Sequence, residues 1–414
     1  MDTEQITLRA LENSKVLAQA GLEQKNKVLS RMADLLIERK ADILKANETD
    51  VKEAQESGLR KSMIERLKFG ASKIDSRAGS LKKIEALPDP VGRGEFETMA
   101  NGMKAARISV PLGVILMVYE ARPHATVNAG AFCMKAGNAA ILRGGKEAKH
   151  SNALIGELWS RALEDAGLPG DTIQIISGTH EDVNELLQRS DRINLVIPRG
   201  GKGLIEAVAK NSTIPVIKHY EGLCHVYIDG AADLDSAIAI AVDSKCLMPA
   251  VCNASETLLI HQAFLERPDD LKKIIQAHRD AGVEIRGCER LQQIVPDVTP
   301  ATEEDWKTEY LDMIYSVRMV DDVGAAIDHI ETYASHHTDA IVTEDAETAR
   351  RFLQQVDSSV VLHNASTMFC DGESLGMGAE IGISTDKIHA RGPMGLNELT
   401  SYKFVIKGNG HVMG

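Results

Sequence analysis

The chain has 414 residues, 43% of them hydrophobic and 26% charged, which gives room for two or three domains and the balance of an ordinary globular protein. A net charge of −13 argues against a general nucleic-acid binder and against an anionic membrane surface, and no apolar run approaches the ~20 residues of a bilayer span. Aromatics are scarce at 4%, which suits helices packed on parallel strands better than a β-sandwich.

Residues 1 to about 85 read as helices, with Val28, Met32, Leu35 and Leu36 at i, i+4, i+7 and i+8 on one face. Pro88-Asp89-Pro90 breaks that region, and Asn101-Gly102 marks the turn of a hairpin near 96–110. From Gly113 the text alternates strand and helix: strands at 113–119, 138–143, 172–176 and 193–198, helices at 127–136, 151–166, 183–188 and 203–210. Such alternation predicts an open parallel sheet with helices on both faces. Ile214–Lys218 and His225–Asp229 read as strands near a domain crossover, and a second α/β block runs from about 225 to 365. Tyr402–Ile406 is a further strand, predicted at a sheet edge.

The six cysteines (133, 224, 246, 252, 288, 370) show no CxxC pair and no His/Cys metal spacing, so no metal site is expected. The start of the chain lacks the charged-then-apolar layout of a leader, which with unpaired thiols points to the cytoplasm. Cys252 follows a Pro/Ala-rich stretch and precedes strand-forming residues, so its thiol is placed at the mouth of an element. A thiolate suits attack on an aldehyde or an activated acyl group.

Two Gly-rich turns follow apolar strands, Arg143-Gly144-Gly145-Lys146 and Arg199-Gly200-Gly201-Lys202, the second opening into a helix. Glycines let backbone N–H groups approach phosphate, and the bases add charge-assisted bonds. Neither turn fits GxGxxG or the P-loop pattern, and two solvated surface turns are the plain alternative. Glu120, Arg122 and His124 stand just past the end of a buried strand, where ligands gather in open α/β sheets. Asn364, Ser366 and Arg391 lie in small polar, Gly-rich stretches suited to a carboxylate.

Taken in order, Tyr119-Glu120-Ala121-Arg122-Pro123, Leu142–Glu147, Pro198–Gly201, Cys252-Asn253 with Glu256–Leu259, Asn364–Thr367 and Lys387–Leu396 resemble the γ-glutamyl phosphate reductase family of the aldehyde dehydrogenase superfamily over the whole length. The resemblance implies an α/β, aldehyde dehydrogenase-like fold: two open, mostly parallel α/β domains plus a small β oligomerisation element. It assigns 1–95, 111–224 and 367–398 to an NADPH-binding domain, 225–366 to a catalytic domain, and 96–110 with 399–414 to the oligomerisation element. It implies reduction of L-glutamyl 5-phosphate by NADPH to glutamate 5-semialdehyde, on the route to proline, through a thioester on Cys252.

By the same resemblance, the Cys252 N–H and a side-chain amide bind the oxyanion. Many members carry asparagine where this chain has His124, and Asn128 is the amide assigned instead. Arg143, Gly144, Gly145 and Lys146 are expected at the adenosine ribose and its phosphate, Arg199, Gly200 and Gly201 at the pyrophosphate, and Glu309 at the nicotinamide ribose. Arg122, His124, Lys218, Asn364, Ser366 and Arg391 are expected to meet the substrate. A homodimer or tetramer is implied, and the labile acyl phosphate suggests glutamate 5-kinase as a channelling partner. The alternatives are a hydrolytic aldehyde dehydrogenase, for which Glu221 would be the base, and a cofactor-binding scaffold without catalysis; a phosphate-releasing reductase has no need of Glu221.

Overall fold

The computed structural model describes residues 2–378 and 380–413, apart from the Ser62 side chain. The chain divides into two compact units, Met1–Lys218 with Gly376–Gly382 and Met394–Gly414, and His219–Leu375 with Ile383–Pro393.

The first unit begins with helices Thr3–Leu17, Leu22–Glu38, Lys40–Glu56, Lys61–Leu67 and Ala71–Ala86. Val28, Met32, Leu35 and Leu36 are all buried, as their spacing predicts, on the face of Leu22–Glu38. Four parallel strands follow, in the spatial order Ile173–Ile176, Ala139–Arg143, Val114–Tyr119, Leu195–Arg199. Every residue of Val114–Tyr119 is buried, the pattern of an inner parallel strand covered on both faces. The strand order reverses beside Val114–Tyr119, so a topological switch point opens past its carboxyl end and that of Leu195–Arg199.

The predicted hairpin is present. Glu97–Thr98 pairs antiparallel with Lys104–Pro111, and Gly102 turns the chain at φ 84°. Lys104–Pro111 then pairs with Thr400–Lys407, which forms an edge of this three-stranded sheet and exposes Tyr402, Phe404 and Ile406 in alternation. Asn138 ties the sheets together: its Oδ1 accepts the Gly113 N–H and its Nδ2 donates to the Leu399 carbonyl, both at 2.9 Å.

The second unit is built on seven parallel strands: Thr299–Pro300, Glu284–Gly287, Ile314–Val320, Ser255–His261, Cys224–Ile228, Thr338–Val342 and Val360–His363, in that spatial order. Period-two alternation divides its core. Val226, Ile228, Leu258 and Ile260 cluster with residues of helices Leu234–Cys246 and Pro268–Asp280, while Tyr227, Leu259 and Ile341 cluster with Val323–Tyr333 and Ala346–Gln355.

One predicted element is corrected. Ile214–Lys218 is not a strand; it touches the sheet through a single bridge, Val196 to Val216. Pro215 in its middle has no N–H to give a ladder, although its carbonyl accepts the Val196 N–H at 2.9 Å. Among the described residues no helix is long and apolar enough to cross a membrane, and no cluster of three or more His, Cys, Asp or Glu could hold a metal ion.

Candidate active site

At the carboxyl ends of the first unit's parallel strands lies a cavity of about 1120 Å³. Arg143, Gly144, Gly145 and Lys146 line it, together with Tyr119 and His180. The turn there is tightly built. A β-carbon on Gly144 would collide with Nδ2 of Asn152 and lie 3.1 Å from the Tyr119 ring. Asn152 is itself held in a buried chain, accepting from Thr126 Oγ1 at 2.8 Å, which bonds the Tyr119 hydroxyl at 2.5 Å. Arg143 donates through Nη2 to the Gly178 carbonyl at 3.0 Å, yet its Nε is buried with no partner among the described residues. A glycine-floored cleft at the ends of parallel strands, with an unsatisfied guanidinium donor, fits a nucleotide.

At the switch point the chain gathers bases. Pro123 opens the helix Pro123–Lys135, with Arg122 at its N-cap and His124 and Asn128 within its first turns. Arg122 is half-buried with its Nε unpartnered among the described residues, and burial followed by the charges of Arg66 and Arg199 holds its pKa below the usual value. His124 is pushed down to about 4, first by burial and then by Lys73, Arg77, Arg122 and Arg199. Such a surrounding favours an anion. The Asn128 Oδ1 is also buried without a partner among the described residues.

Arg199 ends its strand, and Gly201 is the N-cap of the helix Lys202–Asn211. The Gly201 N–H does not stand open: it donates to Glu120 Oε1 at 3.0 Å, and Glu120 lies 3.8 Å from Arg66. The chain's own carboxylate thus covers the turn expected at the pyrophosphate, satisfying a helix-terminal donor.

In the second unit, Cys252 sits half-buried in the turn that precedes the strand Ser255–His261. The turn is fixed from three directions. Cys224 donates its thiol to the Cys252 carbonyl at 3.2 Å. Asn253, buried, donates through Nδ2 to the carbonyls of Thr367, Met368 and Cys370 at 3.2 to 3.3 Å. Gly222 presses on the Cys252 backbone, where a β-carbon would collide with its carbonyl oxygen. Glu309 Oε1 accepts the N–H of that same Gly222 at 2.7 Å. The carboxylate expected at the nicotinamide ribose is therefore attached to the wall of the cysteine turn.

Three other expected residues turn out to be engaged within the fold. Asn364 adopts φ 50° and bridges Thr343, accepting its N–H at 2.9 Å and donating to its carbonyl at 3.1 Å. Ser366 accepts from Ser244 and from the Met368 N–H, each at 3.2 Å. Arg391 donates to the Asp357 carboxylate at 2.8 Å and to the carbonyls of Asp357 and Thr385. Lys218 and Glu221 are both partly exposed. Sequence reasoning missed Gly222 and the buried pair Lys245–Glu256; the pair's only written trace is a lysine and a glutamate flanking the cysteine within an apolar stretch.

The aldehyde dehydrogenase family description matches residues 1–283. The chain is 46% identical over 406 residues to the γ-glutamyl phosphate reductase of Desulfitobacterium hafniense (strain Y51), covering 98% of this chain and 97% of that one. Among solved structures it is similar to the γ-glutamyl phosphate reductase of Thermotoga maritima, with a TM-score of 0.97, 40% identity and full coverage of both chains. It is also similar to that of Saccharomyces cerevisiae, with a TM-score of 0.56, 30% identity, and coverage of 100% of this chain and 99% of the other.

Proposed function

The chain belongs to the aldehyde dehydrogenase family, and on that premise we propose that it reduces L-glutamyl 5-phosphate with NADPH to L-glutamate 5-semialdehyde and phosphate, in proline biosynthesis. The observation that carries this reading is Cys252, half-buried in a turn held by Cys224, Asn253 and Gly222. A thiol fixed this way is oriented before substrate arrives.

The Cys252 thiolate adds to the acyl carbon; the bond from carbon to the phosphate oxygen breaks, phosphate leaves with the electron pair, and a thioester remains. When bound, NADPH supplies the hydride that turns the thioester into a hemithioacetal. Collapse of the hemithioacetal oxyanion re-forms the carbonyl, breaks the carbon–sulfur bond, releases the aldehyde and returns the thiolate of Cys252, the electron pair leaving on sulfur. Each addition places negative charge on the former carbonyl oxygen, for which the Cys252 N–H and the Asn128 amide are the proposed donors. The donor on Asn128 would be its Nδ2; the Oδ1, buried without a partner among the described residues, can only accept.

Arg143, Gly144, Gly145 and Lys146 are assigned to the adenosine ribose and its 2′-phosphate, Arg199, Gly200 and Gly201 to the pyrophosphate, and Glu309 to the nicotinamide ribose. Engagement of the Gly201 N–H by pyrophosphate then requires Glu120 to turn away. Arg122 and Lys218 are assigned to the substrate's phosphate and carboxylate, with neutral His124 as a hydrogen-bonding neighbour. Asn364, Ser366 and Arg391, each hydrogen-bonded within the fold, are assigned to the amino-acid end of the substrate. The cofactor role falls to 1–95, 111–224 and 367–398, and the nucleophile to 225–366. The exposed edge Thr400–Lys407 is assigned, with 96–110, to a homodimer or tetramer contact. The labile acyl phosphate is the reason to expect glutamate 5-kinase nearby, and the cytoplasm is the setting assigned.

The reverse reaction tests the proposal. NADP⁺ and glutamate 5-semialdehyde are supplied with and without inorganic phosphate, beside Cys252→Ala. NADPH formation that needs phosphate and vanishes in the variant is the expected result. Equal rates without phosphate mean that water resolves the thioester, and the hydrolytic reading with Glu221 as base replaces this one.

A further inference from the structure

Beside the cysteine's strand is a buried ion pair to which the chemistry gives no part. Lys245, in the helix Leu234–Cys246, and Glu256, on the strand Ser255–His261, are both fully buried, with Nζ 2.5 Å from Oε2. The ammonium lies 5.9 and 5.7 Å from the ring centres of Tyr310 and Tyr315. Charges are costly to take out of water, and apolar residues of the same volume often stabilise a core as well or better. The pair therefore calls for a task other than stability.

The second carboxylate oxygen has such a task. Glu256 Oε1 accepts the N–H of Leu311 at 3.1 Å. Leu311 has φ 55°, a left-handed conformation that a bulky side chain disfavours and that persists only when its surroundings impose it. Two residues earlier in the same loop stands Glu309, whose Oε1 holds the Gly222 N–H at 2.7 Å. Gly222 in turn abuts the Cys252 backbone with no room for a β-carbon. Burial raises the Glu256 carboxyl to about 7, and the Glu309 charge adds to that rise, consistent with two carboxylates drawn close by one loop.

We propose that Lys245 and Glu256 are positioning residues: the buried pair clamps Leu311, and through it sets Glu309 on Gly222 and steadies the backbone that carries Cys252. The inference rests on the reading of Glu309 as the ribose-binding carboxylate. Lys245 orients Glu256 by a charge-assisted bond, so that the other oxygen faces the Leu311 N–H. This is the logic of an outer partner that aims an inner one.

Full-length variants separate clamp from core. K245M/E256M fills the same space without charge or acceptor; K245M/E256Q also lacks the ion pair but keeps an acceptor for the Leu311 N–H. Both are expected to melt within a few degrees of the parent. K245M/E256M should bind NADPH about tenfold more weakly and change the iodoacetamide labelling rate of Cys252, while K245M/E256Q should retain most of the affinity. Equal behaviour of the two variants in NADPH binding and labelling would show that the pair only packs, and would overturn the inference. E309Q is the companion control. If E309Q weakens NADPH binding and K245M/E256M does not, the clamp alone is wrong; if E309Q binds like the parent, the ribose reading fails and the clamp fails with it. Amide exchange in the native protein needs no variant: strong protection of the Leu311 N–H is expected, and exchange at the rate of an open loop overturns the clamp.

Discussion

A β-carbon on Gly222 would collide with the carbonyl oxygen of Cys252 and come within 2.5 Å of its α-carbon, so the two backbones meet where only glycine has room. Both atoms in the way are main chain, and no rotamer change can relieve them. Gly222→Ala should therefore push the cysteine turn aside and lower kcat/KM about 100-fold, the scale of an ångström-sized misplacement at a reacting group. Steady-state kinetics beside circular dichroism checks this; a folded variant within about threefold of the parent would sink it.

Asn253 serves the same turn differently. The two protons of its amide nitrogen are shared among three carbonyls of the segment 367–370. Asn253→Ala leaves them without that donor and should cost about 1–3 kcal/mol of stability. Urea unfolding measures it. A loss below about 0.5 kcal/mol would mean that these carbonyls find other donors.

In the first unit, Gly144→Ala sets a methyl group against Asn152 and the Tyr119 ring. Overpacking of that kind costs about 1–3 kcal/mol, which at the floor of the proposed nucleotide cleft should appear as NADPH affinity lowered about tenfold or more. Fluorescence titration with NADPH is the direct measurement. Unchanged affinity would place the nucleotide elsewhere.

Three histidines should stay neutral well below their ordinary range. Burial first, then neighbouring positive groups, lowers His124 to about 4, His337 to about 3 and His329 to about 2. The folded state then binds fewer protons than the unfolded chain below about pH 6.5. These rings contribute stability that is present above that pH and is lost as pH falls toward the folded values. Glu256, raised to about 7, works in the opposite sense and gains stability on acidification between 7 and its unfolded value. Ring-proton NMR should show the three histidines without a titration step between pH 8 and 5.5; a midpoint near 6.5 for any of them would contradict its burial.

Much of the frame was legible in the residues. Val114–Tyr119 is an unbroken apolar run, and a central parallel strand is what buries such a run on both faces. The hairpin announced itself by Asn101-Gly102, and Tyr402–Ile406 by its strand-forming residues. Ile214–Lys218 misled because β-branched residues favour extended backbone, while pairing needs a donor that Pro215 lacks. For Arg391, Asn364 and Ser366 a sequence shows the polar group without its partner; the fold supplies Asp357, Thr343 and Ser244.

Local chemistry was thus the part that the sequence determined alone. Apolar period set the strands and helices, glycines set the turns, and a cysteine before a strand marked the candidate nucleophile, because each depends on residues adjacent in the chain. Tertiary structure decided what depends on distant segments meeting: Gly222 against Cys252, Glu309 on Gly222, Glu120 over Gly201, and Lys245 buried with Glu256. Such contacts arise from how strands are ordered and loops close, and no single stretch of residues encodes them.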